Sequence, residues 1–520
     1  MRLIALSLSS GCALALLAAT TAAQSAGALS ITRNTQFVIG DHAPHLSLDG
    51  DQFVARGVRQ SDSPSSVMVF TRSAGTWSLQ TQFTMPYGSA QTNREMDVAL
   101  RGTRLVVGVS SAADGNGDIR ISEFSGGSWG PFTIVPEPVD YNNFGNAVLQ
   151  RENLVFAGFP ATSIQIGMVC VFRYNGAGWH DVADFSQPSA SGIYGTLLAD
   201  SGDTLLVGTY HEADVRVRGA TASSWIHQAL LVPTGSGSVT ALALDGNVAL
   251  VGSYSVPLAP HIDVFERSGT SWSHTAALTG LDLGPSTWFG ASLGVHGDTL
   301  YVGAPGADSG QGAVYVFQRV CGAWIQTAKI TPGVPVSGGG FGRALAVDGT
   351  TLLVSAETSD PSQATAGTVY VFDIAALPLP QTYCTAKVNS HGCVPQIGSG
   401  CGIAGASSPN PFPITASNVL NQKTGLLLYS VAGPANTPFL GGTLCLAAPL
   451  RRTAARNSAG NVGPDDCSGF YDFDFNAHIQ SGVDPALVPG VQVWAQFYSR
   501  DPADPFGVGL TDGLAFTIGS

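Results

Sequence analysis

The chain has 520 residues, of which only 11% are charged and 64 are glycine, and its formal net charge is −13. Binding to nucleic acid phosphates needs clustered lysine and arginine, and the three lysines, Lys329, Lys387 and Lys423, are widely separated. We therefore expect no nucleic acid partner. The abundant glycine indicates short strands joined by many tight turns.

Residues 1–23 have the pattern of a secretory signal peptide, with one arginine, an apolar stretch and small residues before a predicted cleavage after Ala23. Cys12 follows Gly11 and allows a lipoprotein alternative, but the apolar stretch continues beyond it. No later segment approaches the ~20 apolar residues of a membrane helix. We predict a protein without a membrane span that is secreted, extracellular or held at the cell surface.

A pattern of about fifty residues repeats seven times between residues 36 and 380, and a fixed period of this length is typical of an array of supersecondary units. One marker of the repeat is Gly57, Gly108, Gly158, Gly208, Gly252 and Gly303, with Ser355 in the last copy. A second marker is Trp77, Trp129, Trp179, Trp225, Trp272 and Trp324.

The copy at residues 289–330 shows how one repeat folds. Four β-rich runs, at residues 291–295, 299–302, 313–317 and 324–330, are separated by turn residues, which predicts an antiparallel meander of four strands. Such sheets bury both faces when they stack around an axis. We predict an all-β protein with a seven-bladed β-propeller at residues 31–380, in which each tryptophan covers the gap to the next blade.

The two ends of the array predict how the ring closes. The last repeat lacks a tryptophan-led fourth strand and runs into Leu377-Pro378-Leu379-Pro380, whereas a spare strand, residues 31–39, precedes the first repeat. We expect this N-terminal strand to complete the last blade, because hydrogen bonds between the first and last blades remove the open seam of the ring.

The repeats resemble the FG-GAP repeat of integrin-alpha-type propellers. The resemblance rests on the Phe-Gly pairs that begin at Phe144, Phe289 and Phe341, on Gly-Ala-Pro at residues 303–305, and on the Val-Tyr-Val-Phe strands. It weakens in the fourth and fifth repeats, where Tyr194-Gly195 and Val239-Thr240 replace Phe-Gly. The resemblance implies a β-propeller of a secreted bacterial type.

Calcium is a second implication of the resemblance, because FG-GAP repeats of the integrin kind often carry a calcium loop of spaced acids and amides. The best candidate is Asp114-Gly115-Asn116-Gly117-Asp118, in which Asp114, Asn116 and Asp118 offer side-chain oxygens at alternate positions. The alternative is a glycine-rich hairpin turn, which Asp-Gly and Asn-Gly favour on their own. Apart from calcium, we expect no cofactor.

Catalytic motifs are weak in this sequence. Residues 290–294 match Gly-x-Ser-x-Gly, but that motif needs a strand-to-helix turn in an α/β sheet, and here it begins the first strand of a repeat. The ten histidines are scattered, and neither His-Glu-x-x-His nor Cys-x-x-Cys occurs. The sequence therefore predicts no catalytic residues.

The C-terminal segment, residues 381–520, departs from the repeat and resembles a module of large secreted bacterial proteins. In it, Tyr471, Phe473 and Phe475 alternate with Asp472, Asp474 and Asn476, which predicts a strand with one apolar and one acidic face. A solvated acidic face is the simpler interpretation, and a cation or sugar site is the alternative. We predict a small, disulfide-containing, β-sandwich-like domain.

Five of the cysteines lie in this segment, and export favours disulfides over metal ligation. We expect Cys384, Cys393, Cys445 and Cys467 to form disulfides, paired as Cys384–Cys393 and Cys445–Cys467, although sequence alone leaves the connectivity open. Cys170 lies in a strand pattern and is expected to be a buried, small apolar residue.

The repeat scaffold without a catalytic constellation favours a non-catalytic binding or adhesion protein, secreted or at the cell surface, whose propeller loops bind an extracellular protein or glycan. One alternative is an extracellular enzyme acting on polysaccharide, which needs paired carboxylates about 5–10 Å apart. Another is a structural envelope component, whose loops should lack an apolar or aromatic patch.

Overall fold

The structure of the protein is a computed structural model. It describes the backbone of residues 29–40, together with residues 45–57, 66–85, 97–110, 117–136, 143–160, 167–186, 193–221, 224–235, 237–254, 260–284, 286–332, 338–357 and 367–519. The predicted signal peptide at residues 1–23 lies outside these ranges.

Seven antiparallel sheets follow one another along residues 29–376 and form the blades of a β-propeller. The N-terminal strand is β1 (Leu29–Gly40). Blade one holds β2 (Leu46–Asp49), β3 (Gln52–Gly57), β4 (Ser66–Ser73) and β5 (Thr76–Thr84). Blade two holds β6 (Val98–Arg101), β7 (Arg104–Val109), β8 (Asp118–Ser125), β9 (Ser128–Trp129) and β10 (Thr133–Pro136). Blade three holds β11 (Val148–Arg151), β12 (Leu154–Phe159), β13 (Met168–Tyr174) and β14 (Trp179–Ser186).

The remaining blades repeat the same order of strands. Blade four holds β15 (Leu198–Ser201), β16 (Thr204–Gly208), β17 (Ala213–Arg218) and β18 (Trp225–Leu231). Blade five holds β19 (Ser238–Asp245), β20 (Val248–Tyr254), β21 (His261–Ser268) and β22 (Ser271–Leu278). Blade six holds β23 (Ser292–His296), β24 (Thr299–Ala304), the single turn α1 (Ala307–Gly310), β25 (Ala313–Val320) and β26 (Ala323–Ile330). Blade seven holds β27 (Leu345–Asp348), β28 (Thr351–Ala356) and β29 (Gly367–Ala376).

The N-terminal strand β1 completes blade seven, as the sequence predicts. It pairs antiparallel with β29 from Leu29 opposite Ala376 to Gly40 opposite Gly367, and the strand order of this sheet is β1-β29-β28-β27. Blade seven therefore takes three strands from the end of the array and one from its beginning.

The blades close into a ring. Each first strand contacts the first strand of the next blade, and β27 of blade seven contacts β2 of blade one. In the described part of the chain, seven clusters of buried apolar side chains lie between neighbouring blades, one at each interface. The cluster at the seam joins Phe53 and Ala55 to Leu353 and Val371, all with no exposed surface. Burial of each such large side chain stabilises the fold by about 1.5–3 kcal/mol.

The repeating glycine near the end of each second strand has a steric cause. A Cβ on Gly108 would lie 2.1 Å from the carbonyl oxygen of Gly145, and a Cβ on Gly303 would lie 2.1 Å from that of Gly342. Gly145 and Gly342 belong to the Phe-Gly turns of the following blades and have φ of 80° and 91°, a conformation that glycine adopts without strain. At these two interfaces the second strand thus packs against the Phe-Gly turn of the next blade.

The tryptophans of the fourth strands pack against the preceding blade, so the expectation that they cover the gap to the next blade is wrong. Trp77 of blade one lies in the cluster that contains Leu353 of blade seven, and the Trp225 ring is 5.2 Å from that of Phe156 in blade three. Alternate residues of a strand point to opposite faces of the sheet. Trp77 lies opposite Arg72 of the third strand, and this position is on the face turned to the preceding blade.

The C-terminal segment forms two packed sheets and a hairpin. Its elements are β30 (Gln381–Tyr383), β31 (Gln396–Ser399), β32 (Pro413–Val419), β33 (Thr424–Ser430), β34 (Pro434–Phe439), β35 (Gly442–Leu446), β36 (Arg451–Arg452), β37 (Arg456–Asn457), β38 (Gly469–Asp474), α2 (Phe475–Gln480), β39 (Gln492–Arg500), β40 (Val508–Leu510) and β41 (Gly513–Thr517). The larger sheet has the order β30-β41-β39-β33-β36, and the smaller has the order β31-β32-β38. Buried residues of both sheets share one core, which makes this segment a β-sandwich.

The predicted acidic face exists only in part. Tyr471 and Phe473 are buried and Asp472 is exposed, as alternation predicts. The strand ends at Asp474, however, whose carboxylate accepts hydrogen bonds from the first turn of α2 and caps that helix. Asn476 is buried at 1% exposure, and its Nδ2 donates to the carbonyl oxygens of residues 403 and 410 at 2.9 Å. Asp474 and Asn476 therefore stabilise the domain internally.

Six cysteines form disulfides, and the pairing predicted for four of them is wrong. The bonds are Cys321–Cys401, Cys384–Cys445 and Cys393–Cys467. Neither Cys384–Cys393 nor Cys445–Cys467 forms, because the folded sheets bring together residues distant in sequence: the hydroxyl of Tyr383, next to Cys384, donates to the carbonyl of Cys445 at 2.8 Å. Cys170 is a free thiol and is buried, as predicted.

The sandwich is joined to blade six of the propeller. Besides the bond from Cys321 to Cys401, Val320 and Ile403 pack in a small buried cluster. Asn410 Nδ2 donates to the carbonyl of Gln326 at 2.6 Å. This junction therefore combines a covalent bond, an apolar contact and a hydrogen bond.

Neither of the two described helices combines the length and hydropathy that crossing a bilayer requires.

Candidate functional site

One end of the propeller collects the beginnings of all seven first strands. In an antiparallel meander, the second and fourth strands end at the edge where the first strand begins. We call this end the entry face and the other, which carries the tight turns between first and second strands, the turn face. Loops on one face of a rigid scaffold commonly carry binding function.

A cavity of about 790 Å³ lies at the centre of the entry face, and every blade contributes to its lining. We call this cavity the mouth. Its lining residues are His45, Leu46, Asp97, Asn146, Ala147, Thr196, Leu197, Leu198, Ser238, Thr240, Ala241, Leu242, Tyr254, Trp288, Phe289, Ala291, Ser292, Arg343, Ala344 and Leu345.

In each blade, a polar side chain of the mouth lies at one of two adjacent positions near the start of the first strand. The residue directly after the turn glycine is Asn146, Thr196 or Arg343 in blades three, four and seven. Thr240 of blade five corresponds to this residue by strand register, since Ala241 lies opposite Gly252 as Ser292 lies opposite Gly303. Thr240 therefore does not take the place of the turn glycine, contrary to what the sequence pattern indicates. The next position along the chain carries His45, Asp97 and Ser292 in blades one, two and six. The ring geometry thus places one polar side chain from each blade around the axis.

Asp97 is the centre of a network that joins the first three blades. Its Oδ1 lies 3.1 Å from Nδ1 of His45 and accepts from the backbone N–H of Val98 at 2.9 Å. Its Oδ2 accepts from the backbone N–H of Val148 at 2.9 Å. A carboxylate with these partners is held in one orientation, and the ion pair to His45 requires that the imidazole be protonated.

Other polar residues of the mouth bond to the backbone of the following blade. The hydroxyl of Thr240 donates to the carbonyl of Gly290 at 3.0 Å, and that of Ser292 donates to Gly342 at 2.8 Å. These side chains join neighbouring blades and line the mouth.

An aromatic rim lies on one side of the mouth. The side chains of Trp288 and Tyr254 are 49% and 41% exposed. The guanidinium of Arg343 lies 5.2 Å from the centre of the Trp288 ring, within range of a cation–π contact, and it forms an ion pair with Glu357 at 3.4 Å. Trp288 has a φ of 51°, which a bulky residue adopts only when its surroundings impose it.

The carboxylates in and near the mouth are relevant to the alternative function, an enzyme that acts on polysaccharide. Among the described residues that line the mouth, Asp97 is the one carboxylate, and it is engaged by His45 and two backbone N–H groups. Glu357 lies nearby and is paired with Arg343. Glycoside hydrolysis needs two carboxyl groups on either side of the scissile bond, and the described lining does not present such a pair.

The calcium prediction stays a prediction. Asp114 and Asn116 lie outside the described residues. Asp118 is described, and both its oxygens accept from Arg120, at 2.9 Å from Nε and from Nη2. Within the described ranges, no group of three or more His, Cys, Asp and Glu side chains is arranged to hold a metal ion.

The family comparison locates the repeats on this fold. The FG-GAP repeat family matches residues 272–317 and 324–372. This chain carries FG-GAP repeats. Each matched FG-GAP repeat runs from the fourth strand of one blade to the third strand of the next, so the sequence repeat is offset from the blade by one strand.

Among curated proteins, no relative of this FG-GAP repeat chain is found. A chain of the solved structure "Crystal Structure of Mitotic Checkpoint Complex" is similar over 69% of this chain and 99% of its own length, with 13% identity and a TM-score of 0.44.

Proposed function

We propose that this protein is a secreted or cell-surface, non-catalytic binding protein that engages an extracellular protein or glycan at the mouth of its propeller. The single observation that carries the proposal is the mouth itself, a concave site lined by every blade and bordered by the exposed rings of Trp288 and Tyr254. Ligand sites are concave and combine apolar surface with a few fixed polar groups.

An extracellular location fits the three disulfides, because such bonds persist in oxidising compartments. A non-catalytic role is supported by the state of the polar groups in the mouth. Asp97 and Arg343 are each engaged by protein partners, so they fix the shape of the site. The exposed aromatic rim distinguishes this proposal from a purely structural envelope component, for which such a rim has no use.

An array of glycans and surface proteins, probed with the full mature chain, tests this proposal. We expect at least one partner whose binding is lost when Trp288 and Tyr254 are both replaced by alanine. The matched control is His296→Ala with Thr350→Ala, and it should bind normally. His296 is the last residue of β23 and Thr350 lies in the turn before β28, and both are exposed on the turn face. Absence of any partner, or equal loss in both double variants, contradicts the proposal.

A further inference from the structure

We infer that the mouth binds a neutral oligosaccharide, with the indole of Trp288 as the surface on which one sugar ring stacks. This inference rests on the proposed function and names the ligand class of the same site. Four observations carry it: the fixed aromatic ring, the paired charges, the ring of hydroxyl and amide groups, and the concave shape.

Trp288 is exposed but held in place. Its neighbours Thr287 and Phe289 are buried, at 5% and 2% exposure, and its carbonyl accepts a hydrogen bond from the N–H of Ala291 at 3.0 Å. The guanidinium of Arg343 lies 5.2 Å from its ring centre. About half of the side chain still faces solvent, so a flat apolar surface is offered in a fixed orientation. The C–H faces of sugar rings are apolar and stack on such surfaces, and little side-chain entropy is lost on binding.

The charges of the mouth are paired within the protein. Arg343 forms its ion pair with Glu357 at 3.4 Å, and His45 contacts Asp97 at 3.1 Å. A strongly anionic or cationic ligand is recognised by unpaired charge of opposite sign. In the described lining, Arg343 is instead engaged by Glu357, and Asp97 is engaged by His45 and two backbone N–H groups. This arrangement favours a ligand without net charge.

The polar groups match the hydroxyls of a sugar. The hydroxyls of Thr196, Thr240 and Ser292 donate to backbone carbonyls at 3.1, 3.0 and 2.8 Å. Because each has used its one proton, its oxygen remains an acceptor for a ligand hydroxyl. Asn146 adds an amide that can both donate and accept. The mouth therefore offers several acceptors and at least one donor at fixed positions around its axis.

The shape of the mouth favours an oligosaccharide over a protein partner. The volume of about 790 Å³ falls within the roughly 300–1,000 Å³ of small-ligand sites. A standard protein interface instead spreads over about 800 Å² on each partner. A short saccharide, or the end of a longer glycan, enters the mouth and contacts several blades at once.

The test is titration of the full mature chain with neutral linear trisaccharides of glucose, galactose, mannose and N-acetylglucosamine, followed by calorimetry and tryptophan fluorescence. We expect binding of at least one trisaccharide and a change in emission. Trp288→Ala should raise its Kd at least about tenfold, which is about 1.4 kcal/mol, whereas Trp288→Phe keeps an aromatic surface and should retain most of the affinity.

The matched control is Tyr174→Ala. Tyr174 is an aromatic residue of similar exposure, 44%, at the end of β13 on the turn face, and the variant should bind like the parent. Binding that survives Trp288→Ala, or binding of acidic trisaccharides alone, overturns the inference. A protein partner in the array that needs Trp288 and Tyr254, with no saccharide bound, overturns the inference and leaves the proposed function standing. No partner of either class overturns both.

Discussion

The backbone N–H of Gly50 donates to Oδ2 of Asp348 at 2.6 Å, across a sequence separation of 298 residues. Gly50 lies in the first tight turn of blade one, and Asp348 ends the first strand of blade seven. The bond therefore spans the seam of the ring at the turn face, where β27 and β2 are neighbours.

The same bond recurs between blades that follow one another in the chain. Gly102 N–H donates to Asp49 Oδ2 at 2.6 Å, and Gly297 N–H donates to Asp245 Oδ2 at 2.7 Å. The seam between blades one and seven thus has both the hydrogen bond and the apolar cluster that are found at other blade interfaces. Together with the pairing of β1 to β29, these contacts join blade one to blade seven in the same way as consecutive blades are joined.

The buried tryptophans should contribute to stability and the exposed one should not. Trp77 is 5% exposed at the seam, whereas Trp288 is 49% exposed. We expect Trp77→Ala to lower the free energy of unfolding by about 3–5 kcal/mol, because it leaves a cavity between two blades. Trp288→Ala should change it by less than about 1 kcal/mol. Guanidinium unfolding followed by circular dichroism measures both, and equal losses would refute the assignment of Trp77 to the interface.

A methyl group at the repeating glycine should separate blades six and seven. A Cβ on Gly303 would lie 2.1 Å from the carbonyl oxygen of Gly342 and 2.2 Å from Oγ of Ser292. We expect Gly303→Ala to destabilise the fold by about 1–3 kcal/mol or more. Gly284→Ala is the control, since nothing lies within 4 Å of its added Cβ. Thermal unfolding that is unchanged in Gly303→Ala would show that the interface is looser than described.

The Cys321–Cys401 bond should hold the sandwich against blade six. It closes a separation of 80 residues, for which chain entropy gives a stabilisation of about 4 kcal/mol. In the double variant Cys321→Ser/Cys401→Ser, the described junction keeps the small apolar cluster of Val320 and Ile403 and the hydrogen bond from Asn410 to Gln326.

Limited proteolysis at residues 377–380 measures how firmly the junction is held. We expect Cys321→Ser/Cys401→Ser to be cleaved there faster than the parent, with the propeller and the sandwich both remaining folded. The control, Cys384→Ser/Cys445→Ser, removes a bond inside the sandwich and should instead destabilise that domain. Unchanged cleavage in the first variant contradicts a role of the bond in fixing the junction.

One carboxylate should make stability depend on pH in the acid range. Burial alone would raise the pKa of Asp282, but hydrogen bonds from Lys329 at 2.6 Å and from the Tyr315 hydroxyl at 2.8 Å outweigh it and hold that pKa below its ordinary value. A lowered pKa means that the folded state favours the ionised form. The stabilisation from ionised Asp282 is present above about pH 3.9, the pKa of an aspartate in the unfolded chain. It is lost as the pH falls through the lower pKa of Asp282 in the folded protein.

Asp282→Asn should therefore lower the melting temperature at neutral pH and have little effect near pH 2. The loss is expected to stay below about 1 kcal/mol, because the side chain is 53% exposed and the ion pair is screened. Asp472→Asn, an exposed residue of β38, is the control. A difference between parent and Asp282→Asn that persists in acid contradicts this account.

The sequence predicted the blades because their signals are local and repeated. Period-two apolar runs, glycine turns and the Phe-Gly pairs recur at near-constant spacing, and the missing fourth strand of the last repeat indicated where residues 31–39 belong. Disulfide connectivity was not predictable in this way. Cys321 lies in a turn of blade six, and only the packing of the sandwich brings Cys401 next to it.

The mouth escaped sequence reasoning because its polar residues differ in type from blade to blade. Alignment on the turn glycine would have revealed a polar residue directly after it in blades three, four and seven, namely Asn146, Thr196 and Arg343. Trp288 carries no repeat signal, since its loop is specific to the entry into blade six. Its exposure depends on tertiary structure alone.

The mouth exists only if blade one and blade seven are joined into a closed ring. A disulfide that forms in one register of the β1–β29 ladder tests this closure. Ser30 lies opposite Ala375 in the β1–β29 ladder, and opposed residues of antiparallel strands lie within disulfide range. After mild oxidation, Ser30→Cys/Ala375→Cys should form a cross-link seen by peptide mass spectrometry. Ser30→Cys/Ile374→Cys, shifted by one residue to the other face, should not. A cross-link in neither variant, or equally in both, would contradict the closed ring.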